Sequence, residues 1–339
     1  MMTSSKPLVA VTMGDPAGVG AEVAAKAYPA ATEFARLVVV GDADAVRAAV
    51  EACGGSLDVR TVDSAAEASD DPSTLSVLDV DNVDELAYGE LRAEYGEASL
   101  AYVERAIELA VAGEVDAIAT APINKQATRM AGSDHAGHTG LLAERTDTEN
   151  YSMMLIEEDL RVTHVSTHVP LREACDLVTT ENVLDTIRVT DDALRELGVE
   201  SPRVAVAGLN PHAGDGGLLG DEDDAEIAPA VERAREEGID ADGPLSPDTV
   251  YVRAARGDFD CVVSMYHDQG HIPLKMLGFD GSGGVSGVNM TVGLPIVRTS
   301  VDHGTAFDIA GEGVASEESM VDAVRVAATA VENRRANGR

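Results

Sequence analysis

The sequence predicts an α/β chain of two domains, and three observations carry that prediction. Short apolar runs that end in glycine or polar turns alternate with stretches of helical periodicity. The length of 339 residues is more than one core usually holds. A hairpin pattern then interrupts the alternation near the middle of the chain, marking a second domain with a mixed sheet.

In chain order, Leu8–Thr12 reads as a strand, followed by the glycine-bearing turn Met13–Gly20 and an alanine-rich helical stretch. The glycines permit a tight turn and close backbone approach, and the start of the next helix offers N–H groups to an anion. The spacing does not fit G-x-G-x-x-G, so it is not a Rossmann fingerprint. Leu37–Val40 repeats the unit with a helix over Asp44–Ala52, and Ser76–Val80 is a further strand. Between them, Asp63–Thr74 reads as an acidic loop. Leu100, Val103, Ile107 and Val111 recur at helical spacing over Glu97–Ala112, and Gly113 supplies the stop. Asp116–Thr120 is a buried strand delivering Ala121–Lys125, and His135 and Gly137–Gly140 follow. The strand–helix alternation implies parallel pairing with right-handed crossovers.

Tyr151–Ile156 and Leu160–Thr167, joined through Glu157–Asp159, read as the hairpin. Thr180 is expected to cap a helix lined by Val183, Ile187 and Leu194. Arg203–Leu209 is a strand, Gly214–Gly220 a loop, and an acidic helix starts near Glu222. Gly243–Thr249 reads as a rigid turn into a short helix. Cys261–Met265 is a buried strand ending at Tyr266-His267-Asp268-Gln269-Gly270. Five glycines occupy 278–287, marking a mobile or closing segment. Strands at Val288–Val292 and Ile296–Ser300 and a helix over Glu317–Asn333 complete the chain.

Composition narrows the function classes. The formal charge of −35 is spread along the chain, a field that repels nucleic acid and anionic membrane. Spread acidity with 45% hydrophobic residues fits a folded surface adapted to high salt, where screening removes self-repulsion. No apolar stretch reaches membrane-span length, and the N-terminus runs straight into a strand, so a cytoplasmic protein is expected. Cys53, Cys175 and Cys261 are odd in number and widely spaced, which predicts reduced structural thiols. Lysine is confined to Lys6, Lys26, Lys125 and Lys275, which draws attention to those at strand-to-loop junctions.

The candidate chemistry lies in His168, His212 and His267, each expected in the loop just past a strand. Ligands in open α/β sheets sit outside the carboxyl ends of strands, so the three imidazoles can converge. Imidazole is a common ligand for divalent first-row metals, and three leave positions open for a substrate.

Six blocks give this pattern a family. They are Thr12–Gly18, Ala119–Lys125, Gly137–Thr139, Leu209–Gly214, Tyr266–Gly270 and Arg298–Ala306, spread over nearly the whole chain. Together they strongly resemble the 4-hydroxythreonine-4-phosphate dehydrogenase family, which includes 4-phospho-D-threonate and 4-phospho-D-erythronate dehydrogenases. The resemblance implies a three-layer α/β/α, isocitrate/isopropylmalate dehydrogenase-like fold with the site in the cleft between two domains. Residues 1–130 with 295–339 would form the domain carrying the cofactor loop, and 131–294 the metal, substrate and dimerisation domain. It also implies a homodimer with a shared site, a divalent cation (Zn, Mg, Co or Mn) and NAD or NADP.

Carried over residue by residue, the metal ligands are His168, His212 and His267, the last donated by the other subunit. The substrate contacts are His138, Thr139, Lys275, Asn289 and Arg298, with His138 and Lys275 also catalytic. His303, Gly304, Thr305 and Asp308 fall in the adenine-side cofactor loop. The implied reaction oxidises the 3-hydroxyl of a phosphorylated four-carbon hydroxy acid, and the 3-oxo product then loses carbon dioxide. Two departures bear on the substrate: the glycine-rich insert at 280–287 is long, and Gly140 stands where an acid commonly follows the His-Thr pair. Other readings are an isocitrate- or isopropylmalate-type dehydrogenase, which would use aspartate ligands, a metal-free acyl-phosphate transferase on the same fold, and a non-catalytic binding regulator.

Overall fold

The computed structural model describes residues 5–133, 138–278 and 287–338. His135, Gly137, the side chain of His138 and most of the glycine-rich insert lie outside them. Two compact units emerge, Met1–Thr148 with Leu294–Arg339, and Glu149–Gly293. Relative to the expected boundary after residue 130, the segment up to Thr148 goes with the first unit. It does so because its helix packs on an earlier one, Arg145 reaching Glu104 at 2.6 Å.

The first unit begins with β1 (Leu8–Thr12), α1 (Gly20–Ala31), β2 (Arg36–Gly41), α2 (Ala43–Ala52), β3 (Asp58–Val62) and β4 (Thr74–Asp79). It continues with α3 (Ala93–Val111), β5 (Ala117–Thr120), α4 (Lys125–Met130) and α5 (His138–Arg145). The second unit contains β6 (Ser152–Glu157), β7 (Leu160–His164), α6 (Leu171–Asp176), α7 (Thr180–Glu196), β8 (Arg203–Ala207) and α8 (Ala228–Glu236). It closes with β9 (Asp240–Leu245), α9 (Pro247–Ala255), β10 (Cys261–Ser264), α10 (His267–Gly278) and β11 (Val288–Val292). The chain then returns to the first unit for β12 (Val297–Val301) and α11 (Glu318–Ala336).

In the first unit the strands lie in the order β3-β4-β2-β1-β5-β12, all parallel. Every residue of β1 is buried, so both faces are covered, as parallel sheets require. In the second unit the order is β11-β6-β7-β10-β8-β9. The pairs β11/β6 and β6/β7 are antiparallel and the others parallel, giving the mixed sheet that the hairpin pattern announces. Its core gathers Leu155, Val162, Ala205, Tyr251, Val262 and Leu274.

The structure departs from the sequence expectation at four places. Strand β3 was not expected, because its residues Asp58 to Thr61 are mostly exposed at a sheet edge and lack an apolar pattern. Gly243 and Pro244, expected in a turn, belong to β9, and Pro is tolerated there because the strand is an edge. Helix α7 is capped by Thr179, whose Oγ1 accepts from Asn182 N, while the Thr180 hydroxyl donates to Glu226 at 2.7 Å. His267 does not sit in a loop: it is the first residue of α10. All three cysteines are free thiols, and burial pushes Cys261 up to about 12.

Candidate active site

Strands β7, β10 and β8 are adjacent and parallel, with Ser264 opposite His164 and Val263 opposite Val206. Their carboxyl ends therefore emerge side by side, about 5 Å from strand to strand. The histidines expected past these ends are placed by that register. His168 follows β7 in an exposed turn, His267 opens the helix after β10, and His212 lies in a tight turn after β8.

His168 and His267 come together, with ring centroids 5.7 Å apart. They line a cavity of about 270 Å³ with Tyr266, Asp268, Val169 and Leu171. The His267 Nδ1 donates to Asp268 Oδ1 at 2.7 Å, which favours the tautomer that carries its lone pair on Nε2.

Behind this pair stand two further imidazoles. His271, one helical turn on, stacks on His267 with centroids 3.5 Å apart, since the i,i+4 spacing puts both on one face. His164 is buried at the end of β7, 4.8 Å from His271. Its Nδ1 donates to Met153 O, its Nε2 has no hydrogen-bond partner, and burial followed by the charge of His271 pushes it down to about 3. His164 is thus a neutral ring. Gly270 is what lets α10 lie so close: a Cβ there would stand 2.6 Å from Ser264 Oγ and 2.7 Å from His164 Nε2.

The turn carrying His212 is held in an unusual backbone. His212, Ala213 and Asp215 all have positive φ, at 56°, 53° and 47°, and non-glycine residues in this region cost roughly 1–3 kcal/mol each unless their surroundings impose it. The imposing group is Asp223, fully buried, which accepts from Leu209 N at 2.9 Å, Asn210 N at 3.1 Å and Asn210 Nδ2 at 2.9 Å. A second brace links the two strand ends. Gln269 accepts from Met265 N and donates to Gly208 O, both at 2.7 Å. Together they hold the His267 and His212 segments in fixed relation.

Among the described residues, no three His, Cys, Asp or Glu side chains of one chain converge as a metal site. His168 and His267 meet; His212 is presented separately, exposed on its own turn. The donor chemistry of the pair nevertheless fits a divalent cation, with a carboxylate behind one imidazole.

The remaining expected residues fall in both units. Lys275 is exposed on α10, two turns beyond His267, and Asn289 lies in β11 opposite Leu155. Thr139 lies in the first turn of α5. Arg298 is 2% exposed in β12, its Nη2 donating to Thr120 Oγ1 at 2.6 Å, and burial pushes its guanidinium down to about 9. Asn124, in the block carrying Lys125, caps α4 by accepting from Gln126 N and Ala127 N.

In the expected cofactor loop, His303 Nε2 is a buried atom without a partner, and a Cβ on Gly304 would meet nothing within 4 Å. A buried nitrogen left without a partner is a group that a hydrogen-bonding ligand such as a dinucleotide could satisfy.

A profile of the family described as "Pyridoxal phosphate biosynthetic protein PdxA" matches residues 33–327. The chain belongs to the PdxA family. The D-threonate 4-phosphate dehydrogenase of Salmonella typhimurium is 46% identical over 94% of this chain and 97% of its own length. Among solved structures, a 4-hydroxythreonine-4-phosphate dehydrogenase from Klebsiella pneumoniae superposes with a TM-score of 0.86 at 45% identity, covering 97% of this chain and 99% of that one. One from Burkholderia phymatum gives 0.83 at 45%, covering 96% and 99%. This PdxA-family chain is accordingly an oxidoreductase of the dehydrogenase type, on the α/β fold of those solved relatives.

Sequence reasoning passed over His164, His271, Asp223 and Gln269. The His267…His271 spacing was a visible signal, since it places both rings on one face once the segment is read as helix. Asp223 gave none, because it sits in an acidic run where burial of one carboxylate is not encoded locally.

Proposed function

We propose that this PdxA-family dehydrogenase oxidises the 3-hydroxyl of a 4-phosphorylated four-carbon hydroxy acid with NAD or NADP, using a divalent cation, and releases the decarboxylated product. The hydroxyl proton passes to a base and the C3 hydride to the nicotinamide; the bond from C2 to the carboxylate then breaks, releasing carbon dioxide. The observation that carries the reading is the imidazole pair His168 and His267, oriented by Asp268, at the ends of adjacent parallel strands.

A bound divalent cation supplies Lewis acidity toward a hydroxyl, and the nicotinamide accepts hydride. Within the chain, Asp268 holds the His267 ring in a metal-binding tautomer, Gln269 fixes the approach of the two strand ends, and Asp223 holds the turn that presents His212. The proposed ligand set is His168, His212 and His267, shared between two subunits of a homodimer. Lys275, Arg298, Thr139 and His138 neutralise or donate to the substrate phosphate, Asn289 contacts the substrate, and His138 and Lys275 assist proton transfer. The cofactor's adenine side rests on His303, Gly304, Thr305 and Asp308.

The names of relatives make D-threonate 4-phosphate the first substrate to test, followed by 4-phospho-D-erythronate and 4-phosphohydroxy-L-threonine. The test is NADH or NADPH production over these three compounds in molar KCl, before and after exhaustive chelation, with Zn, Mg, Co and Mn added back singly. Turnover that survives chelation would refute the metal-dependent reading.

A further inference from the structure

We infer that Glu22 is a positioning residue for the cofactor: it clamps the 303–313 loop from beneath and thereby sets dinucleotide affinity. The inference rests on the proposed placing of the cofactor on that loop.

Glu22 lies in the first turn of α1 and is fully buried. A buried carboxylate is costly unless its oxygens are satisfied. Here both are, across nearly the whole chain: one oxygen accepts from Gly311 N at 2.5 Å and the other from Gly313 N at 2.8 Å. One turn on, at i+4 on the same face, Lys26 donates to Ala315 O and pairs with Glu317 at 3.0 Å. The helix thus holds residues 311–317 by a carboxylate that takes amide hydrogens and an ammonium that takes oxygens.

The turn leading into α1 secures the other side. Val19 N donates to Thr305 O at 3.0 Å, and Gly18 comes so near that a Cβ would stand 2.8 Å from that same carbonyl. These tethers run from Thr305 to Glu317, and Asp302 N donates to Ser319 Oγ at 3.2 Å on the other side, so residues 303 and 304 lie in the gap between anchors. Those two carry the orphaned His303 Nε2 and the open space at Gly304. A loop fastened on both sides of a two-residue gap is preorganised to receive a ligand at that gap, and preorganisation raises affinity by lowering the ordering cost of binding. Two of the scarce lysine and buried carboxylate positions are thereby explained by one task.

The test uses the full-length protein in molar KCl. Glutamine at position 22 preserves shape but offers one acceptor oxygen and turns an NH₂ toward an N–H donor, so one tether is lost. Glu22→Gln is expected to weaken NADH binding, read by fluorescence titration, by about tenfold, with kcat at saturating cofactor, substrate KM and zinc affinity close to wild type. Glu22→Asp, which keeps both oxygens, is expected to recover part of the loss. Hydrogen exchange on the wild-type protein gives a readout that needs no variant. The Gly311 and Gly313 amides should be protected without cofactor and unchanged by NADH, while amides at 303–305 gain protection. Folded Glu22→Gln that binds NADH as tightly as wild type, or Gly311 and Gly313 amides that exchange like open loop, overturns the inference alone. Wild-type protein that binds neither NADH nor NADPH overturns the proposed function and the inference with it.

Discussion

Replacing Asp15 by asparagine should stabilise the protein near neutral pH, and the gain should vanish in acid. Asp15 is 1% exposed in the turn after β1; its Oδ1 accepts from Ala17 N at 2.9 Å and its Oδ2 has no hydrogen-bond partner. Burial raises its carboxyl from 3.8 to about 6. The folded state therefore binds this proton more tightly than the unfolded chain does, and keeping the group ionised costs folding free energy. That penalty is fully present above pH 6, shrinks as pH falls toward 3.8, and is absent below it. Two pKa units at 1.36 kcal/mol each set it at about 3 kcal/mol. Asparagine keeps the acceptor for Ala17 N and cannot ionise. Its buried amide nitrogen costs about 1–2 kcal/mol at every pH, so the diagnostic is the slope rather than the offset. Urea unfolding of both proteins in molar KCl, from about pH 8 to about pH 4, measures it: the difference in favour of Asp15→Asn should fall by about 2.4 kcal/mol on acidification. A difference that stays flat across that range would show that Asp15 is not carrying an ionisation penalty.

Other perturbations test the bracing of the strand ends. Asp223→Ala strips acceptors from Leu209 N and Asn210 N and should cost about 2–4 kcal/mol in urea unfolding, while cutting metal affinity by releasing His212 from its left-handed backbone. Unchanged metal affinity in the folded variant would refute that link. Gln269→Leu keeps the volume but leaves Met265 N and Gly208 O unpaired, with an expected loss of about 2–3 kcal/mol; a neutral result would mean that water replaces both bonds. With a formal charge of −35, the thermal midpoint should drop as KCl is lowered from molar to about 0.1 M. A midpoint independent of salt would refute the reading of a salt-adapted surface.

The α/β class, the parallel first unit, the hairpin at β6 and β7, and the strands that precede the candidate histidines were all legible in the amino-acid order, because apolar period and turn chemistry are local properties. The same local signals misjudged β3 and β9, whose edge positions relax the pattern, and the segment after β10, where the sharp change to polar residues hid a helix. Tertiary structure alone decided which strands are neighbours, and hence that His168 meets His267 while His164 and His271 stand behind them. It alone distinguished Glu22, Asp15 and Asp223 from the many acids on the surface. Glu22 and Asp223 become buried anchors through amides that other parts of the chain bring to them, and no stretch of local sequence records that arrival.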